Sequence, residues 1–419
     1  MLHGRANHLT NRLLALATVV CGVGAGLLPA TTHGAAAQPA RSGVAAPAYI
    51  TLAFGRTLWQ ESTGTTCDPS PGAVSLDTVA TDLAARGLTG TGFVVDGRIQ
   101  ETTRACLETL SYSSWADLAH LRDDFGWTFV SNGLHRRPLA GLTSTGKVQE
   151  ACGSLDLFAA HGHDRAWGMY GPGSNKITAQ DQADYVEPCF AYTRIYSGTR
   201  SNTRAGLASA PFSAKTLGIH GGLCNDSALP CFTSADGAKT RYQLPADLLT
   251  AVPAGGDRWA VVLGYRFVRG TVLAGPGAHY DCSSADVAAH WVGRSELYCY
   301  DDYLWFIDHL PAGLTSADPA TVAEAWGRIP TPKVEVTSAT SNGSTVQVSF
   351  DSFESGAYDI RSSDGCAGAV LVSGAYSKGP TIKTASFPAA LLGPGIHPLS
   401  VCLTNAFGHQ GFASTTVTI

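Results

Sequence analysis

Methionine is nearly missing from this chain, at 2 of 419 residues, and charge is sparse, with Asp, Glu, Lys and Arg at 15%. The charges present are mixed, 28 basic against 33 acidic, for a formal net charge of −5. No basic stripe emerges, so a nucleic-acid partner is not expected. No G-x-S-x-G elbow occurs, which removes support for a hydrolase serine. No P-loop occurs either, and Gly22-Val23-Gly24 sits in an N-terminal apolar stretch where it carries no cofactor meaning. The cysteines are scattered and form no C-x-x-C, which argues against zinc. There is no whole-chain repeat of 20–50 residues.

Residues 1–37 read as a secretory signal. Arg5 and Arg12 give a positive start, an apolar run extends from Leu13 to about Ala30, and Ala35-Ala36-Ala37 offers a cleavage site. Val20 before Cys21 is too large for a lipoprotein site. No second apolar span follows, so the expected product is exported, without a membrane span, and carries a charge of about −7 once the two arginines leave. The expected location is secreted or extracellular, with association with the cell wall as the alternative.

Cleavage would leave Cys67, Cys106, Cys152, Cys189, Cys224, Cys231, Cys282, Cys299, Cys366 and Cys402. An even count in an exported chain implies disulfides, and nearest-neighbour pairing along this series is the expectation.

The length fits two domains. Residues 38–47 form a linker, 48–329 a large α/β domain, and 330–332 a hinge made stiff by Pro330 and Pro332. Residues 333–419 carry short alternating segments separated by turn residues, such as Thr345–Phe350 and His397–Leu403. These read as an all-β sandwich of immunoglobulin or fibronectin type.

In the large domain, Ile50–Phe54 is a buried strand that ends on Gly55 and Arg56. Ser75–Gly87 reads as a helix with a serine N-cap and a terminal glycine. It feeds a strand, Thr91–Val95. A second helix, Trp115–Phe125, feeds Trp127–Val130. Leu155–Ala160 is a third helix and Ala166–Tyr170 the next strand. Phe190–Ile195 and Trp259–Phe267 are further strands. Tyr303–Leu310 and Thr321–Trp326 are late helices. Strands and helices alternate, which implies a parallel sheet or barrel with functional groups at the strand ends. The segment 197–256 has only short, doubtful elements and reads as an insertion, either a lid or decoration.

Three strand ends resemble the NodB-like polysaccharide deacetylases. That family has T-F-D-D-G after its first strand and S-H-T-x-x-H after its third. Its second aspartate and two histidines hold a divalent metal, and its first aspartate is the base. Here Phe54-Gly55-Arg56-Thr57 and Ser131-Asn132-Gly133-Leu134-His135-Arg136 stand at those places. Gly168-Met169-Tyr170-Gly171 is similar to the family's groove-lining P-Y-G segment, with Arg194 in the strand that follows. Val261–Tyr265 stands where the late L-H motif would be, without its histidine. The resemblance covers about residues 48–328 and implies a distorted (β/α) barrel of the deacetylase type whose metal ligands are lost.

The residue chemistry agrees. A guanidinium has no lone pair to offer a cation, so Arg56 opposes a metal. Asn132 offers only an amide oxygen. The candidate groove residues are Arg56, Asp96, Asn132, His135, Tyr170 and Arg194, and no catalytic residue stands out. No cofactor is expected. A zinc or similar ion enters only if Asp96, His135 and Asn132 rebuild a site, with Glu61 and Asp68 in the loop after Arg56 as further candidates; the bland alternative makes Asp96 a turn cap and His135 a surface residue. His161-Gly162-His163-Asp164 reads as a helix end rather than a metal cluster. Asp302 reads as a helix cap rather than half of a glycosidase pair. Tyr298, Tyr300, Tyr303 and Trp305 read as core packing, with sugar stacking as the alternative.

Three functions compete. The first is a secreted glycan-binding protein of the deacetylase lineage that has lost metal-dependent catalysis. The second is an active deacetylase of polysaccharide or peptidoglycan with a remodelled site. The third is an adhesive or structural surface protein that uses its sandwich. The expected partner is an extracellular polysaccharide or cell-wall glycan.

Overall fold

The computed structural model describes residues 47–63, 68–69, 72–107, 110–173, 177–196, 201–219, 232–233, 239–240, 245–269, 271–273, 279–281, 297–379 and 381–419. The expected signal segment and most of the linker lie outside the described residues.

Seven parallel strands close on themselves in this region. They are β1 (Ala48–Phe54), β2 (Gly90–Val94), β3 (Thr128–Ser131), β4 (Met169–Tyr170), β5 (Tyr192–Tyr196), β6 (Ala214–Gly218) and β7 (Arg258–Gly264). Each pairs with the next, and β7 pairs back to β1 with Thr51 opposite Val261. The result is a closed α/β barrel. All seven residues of β1 are buried, as a strand covered on both faces requires. A short strand, β8 (Leu314–Ser316), lies parallel to β1 on its other side.

Helices α1 (Leu76–Ala84), α2 (Trp115–Phe125), α3 (Ser144–Ala151), α4 (Gly153–Ala160), α5 (Arg204–Ser209), α6 (Pro245–Ala251), α7 (Tyr300–Asp308) and α8 (Pro319–Trp326) accompany the barrel. Local chemistry sets their ends. Ser75 caps α1 by accepting from the Thr78 amide. Ser114 and Asp117 form a reciprocal capping box on α2, and Gly126 ends it in the left-handed region.

Two expectations are corrected here. Ala166–Gly168 is a 3-10 turn, and only Met169–Tyr170 extends as strand, because the Gly168 backbone packs against Ala320 with no room for a Cβ. The segment 197–256 is not merely an insertion, since it supplies barrel strand β6 and helices α5 and α6. Lys215 interrupts the apolar pattern of β6 and hides it from a periodicity reading.

Residues 334–418 form two antiparallel sheets. One contains β9 (Val334–Ser341), β10 (Thr345–Ser352) and β13 (Lys383–Pro388). The other contains β11 (Gly356–Arg361), β12 (Val370–Tyr376), β14 (Ile396–Asn405) and β15 (Gln410–Thr418). Val346, Val348 and Phe350 of β10 share a core with Tyr358, Ile360, Val401 and Leu403. Alternating burial on β10 is the expected signature of a sandwich-like pair of sheets.

Cys152 is bonded to Cys189 and Cys366 to Cys402, as nearest-neighbour pairing expects. Cys106 and Cys299 are also disulfide-bonded. Cys67, Cys224, Cys231 and Cys282 lie outside the described residues. Among the described residues no helix is long and apolar enough to cross a membrane.

Candidate functional site at the barrel mouth

The carboxyl ends of β1, β2, β3, β4, β5 and β7 bring polar side chains to one end of the barrel, where barrels of this kind place their chemistry. After β1, the chain makes a turn with two consecutive left-handed residues, Arg56 at φ 62° and Thr57 at φ 48°. Such conformations cost about 1–3 kcal/mol each outside glycine, and a β-branched threonine tolerates them poorly. The surroundings hold the turn in place. The backbone amide and hydroxyl of Ser113 both donate to the Thr57 carbonyl, at 3.0 and 2.9 Å. Gly55 lets Tyr265, just past β7, approach so closely that a Cβ would lie 2.2 Å from its ring. The Arg56 guanidinium sits over that ring at 5.6 Å.

Just past β3 lies Asn132, and Arg194, from within β5, donates from Nη2 to Asn132 Oδ1 at 3.2 Å and lies over the Phe93 ring at 4.8 Å. Both polar residues are buried. Gly171 is required beside them, since a Cβ would fall 2.3 Å from the Asn132 oxygen.

Asp96, after β2, is buried, with Ser131 Oγ 3.5 Å from its Oδ2 and, among the described residues, no partner for its Oδ1. Burial drives this carboxyl well above the ordinary range; Ser154 and Ser131 oppose the shift and the nearby Glu150 adds to it. Glu150, on α3, straps the loop that follows β3. Its Oε1 accepts from the amides of His135 and Arg137 at 3.0 and 2.9 Å, and its backbone carbonyl accepts from Leu134. Between those two amides Arg136 is held at φ 57°. Burial raises the Glu150 carboxyl and the two amides restrain it. Tyr170, at the end of β4, is fully buried and its hydroxyl has no partner among the described residues. Burial, then Glu150 and Asp96, push its pKa upward.

His135 stands apart. It is exposed, and its ring packs over Gly97. Asp96, Asn132 and His135 therefore do not assemble a metal site, because the first is buried against Ser131, the second is taken by Arg194, and the third lies outside. The donor chemistry does not fit a divalent cation, and among the described residues no three His, Cys, Asp or Glu side chains converge. The side chains of Glu61 and Asp68 are outside the described residues.

The remaining candidates have structural places. His161 ends α4, Gly162 follows at φ 72°, and the His161 ring stacks on Trp115 at 4.1 Å. His163 is buried against Trp115 and Phe129, and burial, followed by Arg122 and His161, lowers its pKa to about 3. Asp302 is not a cap. Helix α7 starts earlier, at Tyr300, with Cys299 at the N-cap and both aspartates in the first turn. Tyr298, Tyr300 and Tyr303 are core, while Trp305 is 41% exposed and stacks on His309.

No family model matches the chain, and no curated protein matches it. Among solved structures, an engineered protein aligns over 88% of this chain and 93% of its own at 11% identity, with a TM-score of 0.30. An endo-β-1,4-mannanase from Thermotoga petrophila aligns over 88% and 97% at 9% identity, with a TM-score of 0.20. Scores this low carry no argument, so the α/β barrel rests on its own strand pairings.

Proposed function

We propose that this chain is a secreted carbohydrate-active protein of the polysaccharide deacetylase lineage that binds a glycan at the barrel mouth and has lost metal-dependent catalysis. The observation that carries the reading is the set of groups at the strand ends. Where the resemblance implies ligands, the chain has Arg56 after β1 and an Asn132–Arg194 pair after β3. Guanidinium groups recognise carboxylates and acetyl carbonyls through planar donors. The strained turn at Arg56 and Thr57 supports a functional role, since such conformations gather at binding sites. The ligand class is an anionic or acetylated extracellular glycan, and residues 333–419 would be an immunoglobulin- or fibronectin-like partner domain.

The test is calorimetric titration with acetylated and uronic-acid oligosaccharides, beside a metal assay of protein purified without chelator. Binding that weakens at least tenfold in Arg56→Ala supports the reading. Stoichiometric metal together with acetate release would overturn it. One observation favours the remodelled hydrolase as a second reading. Two carboxyls, Asp96 and Glu150, occupy unlike surroundings close together, the arrangement that separates an acid from a base.

A further inference from the structure

The barrel and the sheets of residues 334–418 meet in a seam that carries its own chemistry. Phe353 lies parallel to Tyr185 with ring centroids 6.2 Å apart, and His409 packs edge-on against Trp167 at 4.7 Å. Between these contacts the chain buries Glu354, at 1% exposure. Its Oε2 accepts from Asn405 Nδ2 at 2.8 Å, and its Oε1 has no hydrogen-bond partner among the described residues. Asn405 has its oxygen committed to the amides of Phe407 and His409. Across the seam, Asp156 of α4 accepts from the Ser355 amide and hydroxyl at 3.3 and 2.7 Å. Lys378 is engaged by both oxygens of Asp351, at 2.9 and 3.0 Å. Tyr376 also donates to Asp351. His409 has a buried Nδ1 without a hydrogen-bond partner among the described residues.

We propose that Glu354 and Asp156 form a proton-dependent latch between barrel and sandwich, closed while Glu354 carries its proton. A neutral carboxyl fits this site, where Glu354 has one amide donor, while the nearby cations are engaged elsewhere, Lys378 on Asp351 and Lys333 over the Phe353 ring at 4.8 Å. An ionised one is a buried anion beside Ser355, which a second carboxylate, Asp156, holds from across the joint. The surrounding groups fix the direction of the response. Burial dominates, Asn405 opposes it and Asp156 adds to it, bringing Glu354 to about 8. A carboxyl raised in the closed state from 4.5 to about 8 holds the seam fully below 4.5. That contribution is lost as pH rises and is gone once pH passes the upper value. An exported protein meets outside pH directly, so the latch would let alkaline surroundings free the sandwich from the barrel.

The experiment is hydrogen exchange by mass spectrometry on the full chain from pH 6 to 9.5, corrected for intrinsic exchange and read on peptides spanning 353–356 and 405–409. The wild type should gain at least tenfold in seam exchange, Glu354→Gln should stay flat, and Asp156→Asn should show a smaller rise. A flat wild-type profile, or an equal rise in Glu354→Gln, overturns the latch. If Glu354→Gln does not fold, an Asp156→Asn response as large as the wild type's overturns it instead.

Discussion

Replacing Glu150 with alanine tests how the barrel mouth is built. In the native protein the Glu150 carboxylate satisfies two backbone amides, those of His135 and Arg137, inside the loop that follows β3. Truncation strands both donors. Both amides belong to exposed residues and are only partly buried, so each lost bond costs about 1 kcal/mol and the pair about 2 kcal/mol. The missing side chain leaves a gap beside Gly133 and Tyr170, and lost methylenes add about 1 kcal/mol. The total of about 3 kcal/mol would be a large share of the stability of a typical domain. Glu150→Gln keeps one acceptor oxygen and should cost only about 1–2 kcal/mol through loss of charge-assisted bonding. Urea unfolding followed by tyrosine and tryptophan fluorescence gives the totals. Exchange of the 133–137 amides gives the local effect, which should exceed that of distant strands. A Glu150→Ala cost below about 1 kcal/mol with unchanged loop exchange would refute the strap.

Gly171→Ala should cost about 1–3 kcal/mol by overpacking against Asn132 and should weaken any anionic ligand held by Arg194, as thermal melts and titration would register. Removing both Cys152 and Cys189 should cost about 4 kcal/mol, given the 37-residue separation, measured by denaturant midpoint against the wild type. His163 is held neutral, with its pKa depressed to about 3, so the fold loses stability as pH falls below the free value of 6.5. By pH 4 that loss is about 3 kcal/mol, and His163→Phe should remove it from a melting series between pH 7 and 4. Asp96 is shifted the other way, so its ionisation penalises the fold as pH rises above 3.8. Asp96→Asn should therefore match the wild type in acid and exceed it at neutral pH, and equal stability at both would refute the shift.

The barrel is legible in the sequence because its outer helices announce themselves. Ser75, Ser114 and Gly126 are end signals whose geometry depends only on nearby residues, and α2 runs Trp115–Phe125 as its pattern requires. Strands are less legible where tertiary contact overrides propensity. Strand β4 is only two residues because Gly168 must turn against α8, and β6 carries Lys215 in a wall of apolar neighbours. β12 and β13 carry little sequence signal because Gly374 and the small residues of Lys383–Pro388 give weak alternation.

The mouth divides along the same line. Arg56, Asp96, Asn132 and Tyr170 stand at strand ends and Arg194 lies within β5, and strands and their ends are visible in a sequence. Glu150, Ser131, Ser154, Thr57 and Tyr265 do their work through long-range contact and carry no local signature. Glu150 lies on a helix, among residues that give no hint of the loop it holds. The same division bears on how the mouth could change its chemistry. A metal site needs donors on three strands aimed at one point, and one arginine or one engaged asparagine is enough to end it. The strapped loop, the glycines that admit Tyr265 and Asn132, and the left-handed turn do not depend on a metal. They keep polar groups fixed at the mouth whatever occupies it, so a barrel that lost its ligands would retain a rigid, polar recognition surface.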